Sequence, residues 1–228
     1  MKYRGAPFAI SEGRVDLVTV PLKRPFITAL GRKDATTNAV VRLRLRGGAE
    51  GMGEASGSVV MADHRPPRLA RVLRGLVRRF RGADVRRLGP LTAEAWRRAR
   101  ATPAAAAAFE CALTEALLSA LGVTMSAWFG GARDRVETDL TISAGHAKDT
   151  ADAAGSAAKE GFRKLKVKVG SGGGTRDIER VRAADRHGRR GRARPEVVLD
   201  GNQGLTERSA LRLVEGCLKR GIRVVLLE

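Results

Sequence analysis

The sequence predicts an α+β segment followed by a parallel α/β sheet, and three observations carry that reading. Residues 14–61 alternate with the period of strands, residues 65–130 have helical periodicity, and from Val136 strand-like and helix-like stretches take turns. The 228 residues are 43% hydrophobic and 29% charged, which fits one or two packed domains and excludes wholesale disorder. Lys and Arg number 43 against 24 Asp and Glu, a net charge of +19 that raises a nucleic-acid or anionic-surface reading. Aromatic residues at 4% count against it, because single-strand binders stack bases on aromatic platforms.

Taken in order, the first segment reads as a three-stranded meander: RVDLVTVPL, NAVVRLRLRGG and GMGEASGSVV. Val41, Leu43 and Leu45 share one face and Arg42, Arg44 and Arg46 the other, the alternation of a half-solvated antiparallel strand. Gly47-Gly48 ends it as a turn. RPPRLARVLRGLVRRF then sets Leu69, Val72, Leu73, Leu76 and Val77 on one helical stripe. Thr92 with Glu94 marks the expected start of a second helix. Pro103 opens a third, AAAAAFECALTEALLSALG, which Gly122 closes as a C′ glycine.

The remainder repeats. VETDLTIS precedes the helical DTADAAGSAAKEG, KLKVKVG precedes TRDIERVRAADRHG, EVVLDGN precedes TERSALRLVEGCLKRG, and RVVLLE is a fourth strand. Asp139, Lys168, Asp200 and Glu228 stand at corresponding points, 29, 32 and 28 residues apart. That period belongs to strand–helix–strand units with right-handed crossovers, in an open doubly wound sheet or in part of a (β/α)₈ barrel. Cys111 and Cys217 fall in separate predicted helices, so reduced thiols are expected rather than a disulfide framework. The start, MKYRGAPFAI, lacks a signal-peptide core, and no apolar run, Ala104 to Phe109 included, is read as long enough to span a bilayer. A cytoplasmic protein is expected.

Parallel sheets of this kind bind ligands at the carboxyl ends of their strands, and the polar residues collect there. Lys164, Lys166 and Lys168 share one parity and therefore one face, Asp200 and Asn202 end the next strand, and Glu228 follows the apolar run 224–227. Carboxylates at two neighbouring strand tips suit Mg²⁺, a hard cation that takes oxygen ligands. A lysine beside a second lysine and a divalent cation has its pKa pushed toward neutrality, as a general base requires. Strand lysines are commonly a solvated face, but a parallel sheet covered on both sides offers none. Other features point to less. Gly170–Gly174 lacks the Lys-Ser/Thr of a phosphate-binding loop, His64, His146 and His187 lack metal-ligand spacing, and the arginines from Arg65 to Arg87 read as a solvated helix face.

These residues resemble the enolase superfamily, in its muconate-lactonizing-enzyme-like branch (the mandelate racemase/muconate lactonizing enzyme family), and within it the dipeptide epimerases. KLKVKVG (164–170) resembles the branch's Lys-x-Lys strand, VVLDGNQG (197–204) its Asp-x-Asn-Gln metal strand, and VVLLE (224–228) the strand of the second metal ligand. Residues 104–131 are similar to the helix and glycine ending between cap and barrel, GMGEAS (51–56) to the cap's Gly-x-Gly-Glu turn, and TDLTIS (138–143) to the first barrel strand. The resemblance implies an α+β cap domain over residues 1–131 and a partial TIM-type α/β barrel over 132–228, four of eight βα units. It implies Lys168 as acid/base with Lys166 beside it, Asp200 and Glu228 as Mg²⁺ ligands, Asn202 in support of the metal strand, and Thr141 as a substrate contact. The reaction implied is epimerisation or racemisation of a dipeptide or other carboxylate, by removal of the proton α to the carboxylate. Cycloisomerisation and o-succinylbenzoate synthesis use the same Lys-x-Lys site, and a basic nucleic-acid-binding protein is the rival from another class.

The family's third acidic ligand and its opposing lysine have no counterpart up to Glu228. A fragment is therefore expected, inactive and poorly folded alone because its fourth strand leaves a parallel edge uncovered, with homo-oligomerisation reserved for a full-length chain. PLKRPFITALGRKDATTNAVVRL resembles the loop that closes over substrate. Ala-Glu epimerases carry an arginine directly after Thr-Ala-Leu. Here Thr28–Leu30 is followed by Gly31 and only then Arg32, so Arg32 is the candidate contact and an acidic second residue is not implied.

Overall fold

The computed structural model describes residues 7–28, 31–57, 65–133, 135–171, 173–189 and 191–228. Among the features singled out in the sequence, Ala29, Leu30, His64, Gly172 and residues 58–60 lie outside the described residues. The chain divides into two compact units, Met1–Pro21 with Ala35–Asp134, and Leu22–Asp34 with Arg135–Glu228.

A three-stranded sheet runs in the order β1 (Ile10–Thr28), β2 (Gly31–Leu45), β3 (Glu50–Ser56), with β2 and β3 antiparallel. The expected meander is present, but β1 and β2 run on through the segment expected as a loop. Pro21 and Pro25 disguise the continuation in the sequence. They are tolerated because β1 is an edge strand, and Thr19 and Thr37 still meet across the pair at 2.9 Å. GMGEAS, similar in sequence to a turn, is the body of β3. Its buried residues, Gly51, Gly53 and Ala55, face α3 (Pro103–Leu121). A Cβ on Gly53 would stand 1.8 Å from the Ala108 carbonyl oxygen, and one on Gly51 2.2 Å from that of Ala112. The alanine-rich helix and the glycine strand thus share one seam, closed to any larger residue.

Leu69, Leu73, Leu76 and Phe80 of α1 (Pro66–Phe80) are buried, and the Phe80 ring packs 5.2 Å from that of Phe109. Its arginines Arg68, Arg71, Arg74, Arg78 and Arg79 are exposed. The second helix, α2 (Leu88–Arg98), begins four residues before the Thr92 start expected for it. The Asp84 carboxylate accepts from the Arg86 amide at 3.0 Å and opens a 3₁₀ turn over Val85–Arg87, so the chain is already helical at Thr92, whose hydroxyl is buried without a partner. Gly122, at φ 67°, ends α3 as expected. Contrary to the expectation from the apolar runs, α3 is long and apolar enough to cross a membrane by length and composition alone, yet 56% of its apolar window is buried in the protein, as in a core helix. A single turn, α4, follows (Met125–Trp128).

The second unit alternates β4 (Leu140–Ile142), α5 (Ala147–Glu160), β5 (Lys164–Lys168), α6 (Gly173–His187), β6 (Glu196–Asp200), α7 (Glu207–Leu218) and β7 (Val224–Leu227). The four strands form a parallel sheet in sequence order. Leu165, Val167, Val197 and Leu199 point to one face and join a core with Val181, Ala184, Leu213 and Cys217 from the helices. Residues of the other parity, the lysines among them, face the opposite side. His146 is the N-cap of α5, its amide donating to Asp149 at 3.1 Å. Cys111 and Cys217 are both free, and burial pushes the Cys217 thiol up to about 11.

Candidate active site

The site grows out of the pleat. β5 pairs with β6 so that Lys166 lies opposite Val198 and Lys168 opposite Asp200. Between β6 and β7 the register shifts, from Val197 opposite Val224 to Val198 opposite Leu226. This bulge takes up Val225. Without it Leu227 would arrive opposite Asp200, whereas the Glu228 amide donates to the Leu199 carbonyl (2.8 Å) and the Gly201 amide to the Glu228 carbonyl (3.0 Å). Lys168, Asp200 and Glu228 therefore stand in one row across three strands.

Their side chains are already engaged. The Lys168 ammonium hydrogen-bonds Asp200 Oδ2, and both groups are under 10% exposed. Lys166 Nζ donates to both Glu228 oxygens, at 3.1 and 3.0 Å. That hydrogen bond holds Lys166 above its ordinary pKa, against a smaller effect of burial. A lysine pushed toward neutrality is thus not what Lys166 shows, because a carboxylate rather than another cation is its nearest partner. Burial would raise the Asp200 carboxyl, but hydrogen bonds from Lys168 and from the Asn202 amide (2.9 Å) outweigh it and hold it below the usual range. Two carboxylates at one level, each balanced by an ammonium group, form a hard-oxygen donor set of the kind that takes a divalent cation completed by water and substrate. Among the described residues, no three His, Cys, Asp or Glu side chains converge on one point.

The remaining candidates sit around this row. Asn202 and Gln203 both have positive φ, 44° and 66°, a conformation costing on the order of 1–3 kcal/mol for each non-glycine residue. It turns the Asn202 amide back onto Asp200, while Asn202 Oδ1 is buried without a protein partner. Thr141 is opposite Lys166 in register and exposed. Arg32 is exposed and spends its guanidinium on Asp34, at 2.7 Å. The structure does not join it to the lysine–carboxylate row through any contact it makes.

Three features escaped sequence reasoning. The Phe26 ring lies 5.6 Å from the Lys168 ammonium, held by hydrogen bonds from Ser143 to Pro25 (3.3 Å) and from Ala144 to Ile27 (2.9 Å). An extended reading of PFIT would have brought it near. The bulge in β7 left no trace, since Val224 to Leu227 are all apolar. A buried Asp177–Arg180 pair was legible only as an i, i+3 spacing on α6.

The profile of the mandelate racemase/muconate lactonizing enzyme N-terminal domain matches residues 12–130, over half the chain, and the enolase C-terminal domain-like profile matches residues 149–228. The chain belongs to the mandelate racemase/muconate lactonizing enzyme family. It is 28% identical over 224 residues to the aromatic dipeptide epimerase of Herpetosiphon aurantiacus, covering 97% of this chain and 61% of that enzyme. It is 31% identical over 211 residues to the L-Lys-D/L-Arg epimerase of Methylococcus capsulatus, covering 90% and 57%. The substrate-liganded L-Ala-D/L-Glu epimerase of Bacillus subtilis superposes with a TM-score of 0.90 at 26% identity, covering 96% of this chain and 60% of that one. The dipeptide epimerase of Methylococcus capsulatus complexed with Mg and L-Arg-D-Lys superposes at 0.84 with 29% identity, covering 94% and 60%. This family member thus spans about three fifths of the curated relatives it matches, and its four parallel strands are part of their barrel.

Proposed function

We propose that this chain carries part of the active site of a Mg²⁺-dependent dipeptide epimerase. The observation that carries the reading is the row of Lys168, Asp200 and Glu228 at one level across β5, β6 and β7. Asp200 and Glu228 hold the cation, which when bound supplies Lewis-acid stabilisation of negative charge on the substrate carboxylate. Lys168, freed from Asp200 and having first given its own proton to solvent, takes the α-proton on the lone pair of Nζ. The C–H bond breaks and its electron pair moves into the carboxylate, giving an enolate, and proton delivery to the opposite face gives the epimer. Lys166 keeps positive charge beside the carboxylates. Asn202 fixes the orientation of Asp200, and Thr141 lines the substrate side of β4. The bias is toward dipeptides without an acidic second residue, because Arg32 is neutralised by Asp34.

The test is α-proton exchange. The chain, alone and within its complete natural protein, is incubated with Mg²⁺ and a panel of L,L-dipeptides in deuterated water, and loss of the α-proton signal is followed by NMR. Exchange is expected with apolar or basic second residues, and Lys168→Ala should lower it at least about a hundredfold. No exchange of any dipeptide by the complete protein sinks the reading.

A further inference from the structure

α6 carries an ion pair that faces neither solvent nor the reacting groups. Asp177 and Arg180 are 1% and 4% exposed. Two buried charges are costly to desolvate, and well-packed apolar residues would often serve stability as well, so their hydrogen bonds show what the pair can do. Asp177 Oδ1 accepts from Arg180 Nη2, and Oδ2 accepts from the Gly170 amide at 3.0 Å. Arg180 Nη2 also reaches the Lys168 carbonyl and Ser171 Oγ, each at 3.4 Å, and Nη1 reaches the Gly145 carbonyl at 3.4 Å. One guanidinium therefore ties the chain just beyond β4 to the end of β5, and the β5 residue it holds is Lys168 itself.

A lysine side chain is long and flexible, so the accuracy of its ammonium group depends on how firmly its backbone is fixed. β6 fixes one side: the Val169 amide donates to the Asp200 carbonyl at 2.9 Å. Arg180 fixes the carbonyl side. Its rigid planar fork holds acceptors on two chain segments from two separate nitrogens, which the single nitrogen of a lysine does not reproduce and an apolar residue lacks altogether. We propose that Arg180, with Asp177 as its counter-ion, is a positioning residue for Lys168. The proposal rests on the reading of Lys168 as the base.

The test uses the full chain carrying Arg180→Ala, Arg180→Lys or Asp177→Asn. Acetylation of Lys168 by acetic anhydride is read by peptide mass spectrometry, with Lys164 as internal reference. In Arg180→Ala the Lys168 to Lys164 ratio should rise severalfold and fall back when millimolar guanidinium refills the vacated space. Arg180→Lys should be intermediate, and it replaces the alanine variant if that one fails to fold. In dipeptide exchange by the complete protein, kcat should drop at least about tenfold with little change in KM, again restored by guanidinium. An unchanged acetylation ratio in a folded variant, or a raised KM at constant kcat, overturns the proposal. Unmasking of Lys168 in a protein whose wild type exchanges no dipeptide sinks the epimerase reading and leaves only the immobilisation of Lys168 by Arg180, without a catalytic purpose.

Discussion

Lys166 and Lys168 lie two residues apart on one strand face yet are held differently, the first partly buried against Glu228 and the second buried against Asp200. The difference sets a pH dependence in protein free of divalent cations. Asp200 is held below the ordinary carboxylate range, so its pairing contributes stability that is complete above the ordinary carboxyl pKa and is lost as pH falls through the lowered one. Lys166 is held above the ordinary lysine value, so its contribution is complete below that value and is lost as pH rises through the raised one. From these two groups, urea midpoints should be level from about pH 5 to about pH 10 and decline on either side. Asp200→Asn should soften the acid decline, and an acid limb identical to wild type would refute the assignment. Parity alone brought Lys168 and Asp200 to one face in the sequence. The Asn202 turn was not legible, since nothing in DGNQG requires left-handed backbone at asparagine and glutamine rather than at a glycine.

Among the elements, two glycines make opposite expectations. Gly53 faces the backbone of α3, so Gly53→Ala must part strand from helix, at a cost of about 3 kcal/mol or more. Gly75, inside α1, has open space where a Cβ would go, so Gly75→Ala should stabilise by about 0.5–1 kcal/mol. Thermal denaturation of both variants decides the pair, and equal effects would show that the seam does not exist. Element type was legible wherever one period ran unbroken, as in α1, α3 and the four parallel strands. It failed where a local bond overrode the pattern. Asp84 started α2 ahead of Thr92, and two prolines on an edge strand hid the continuation of β1 over residues 22–28. The apolar length of α3 is disguised in the sequence by Glu110, Thr114 and Glu115, which break the continuous apolar run after Phe109.

For the molecule as a whole, each unit has a hydrophobic core of its own. Within the parallel sheet, β5 and β6 are paired on both sides, whereas among the described residues β7 is paired only with β6 and exposes Val225 and Leu226. Hydrogen exchange should therefore release the amides of β7 well before those of β5 and β6, and equal protection would show that the edge is covered. The bulge at Val225 gives that edge a further property. It stores one residue more than the pairing between Val197 and Asp200 requires. Loss of any single residue from Val224–Leu227 can be absorbed by straightening the strand, with Glu228 still arriving beside Asp200. One added residue has no such reserve to draw on and carries Glu228 past the row. The site is thus asymmetric toward changes in chain length, forgiving of a deletion and intolerant of an insertion.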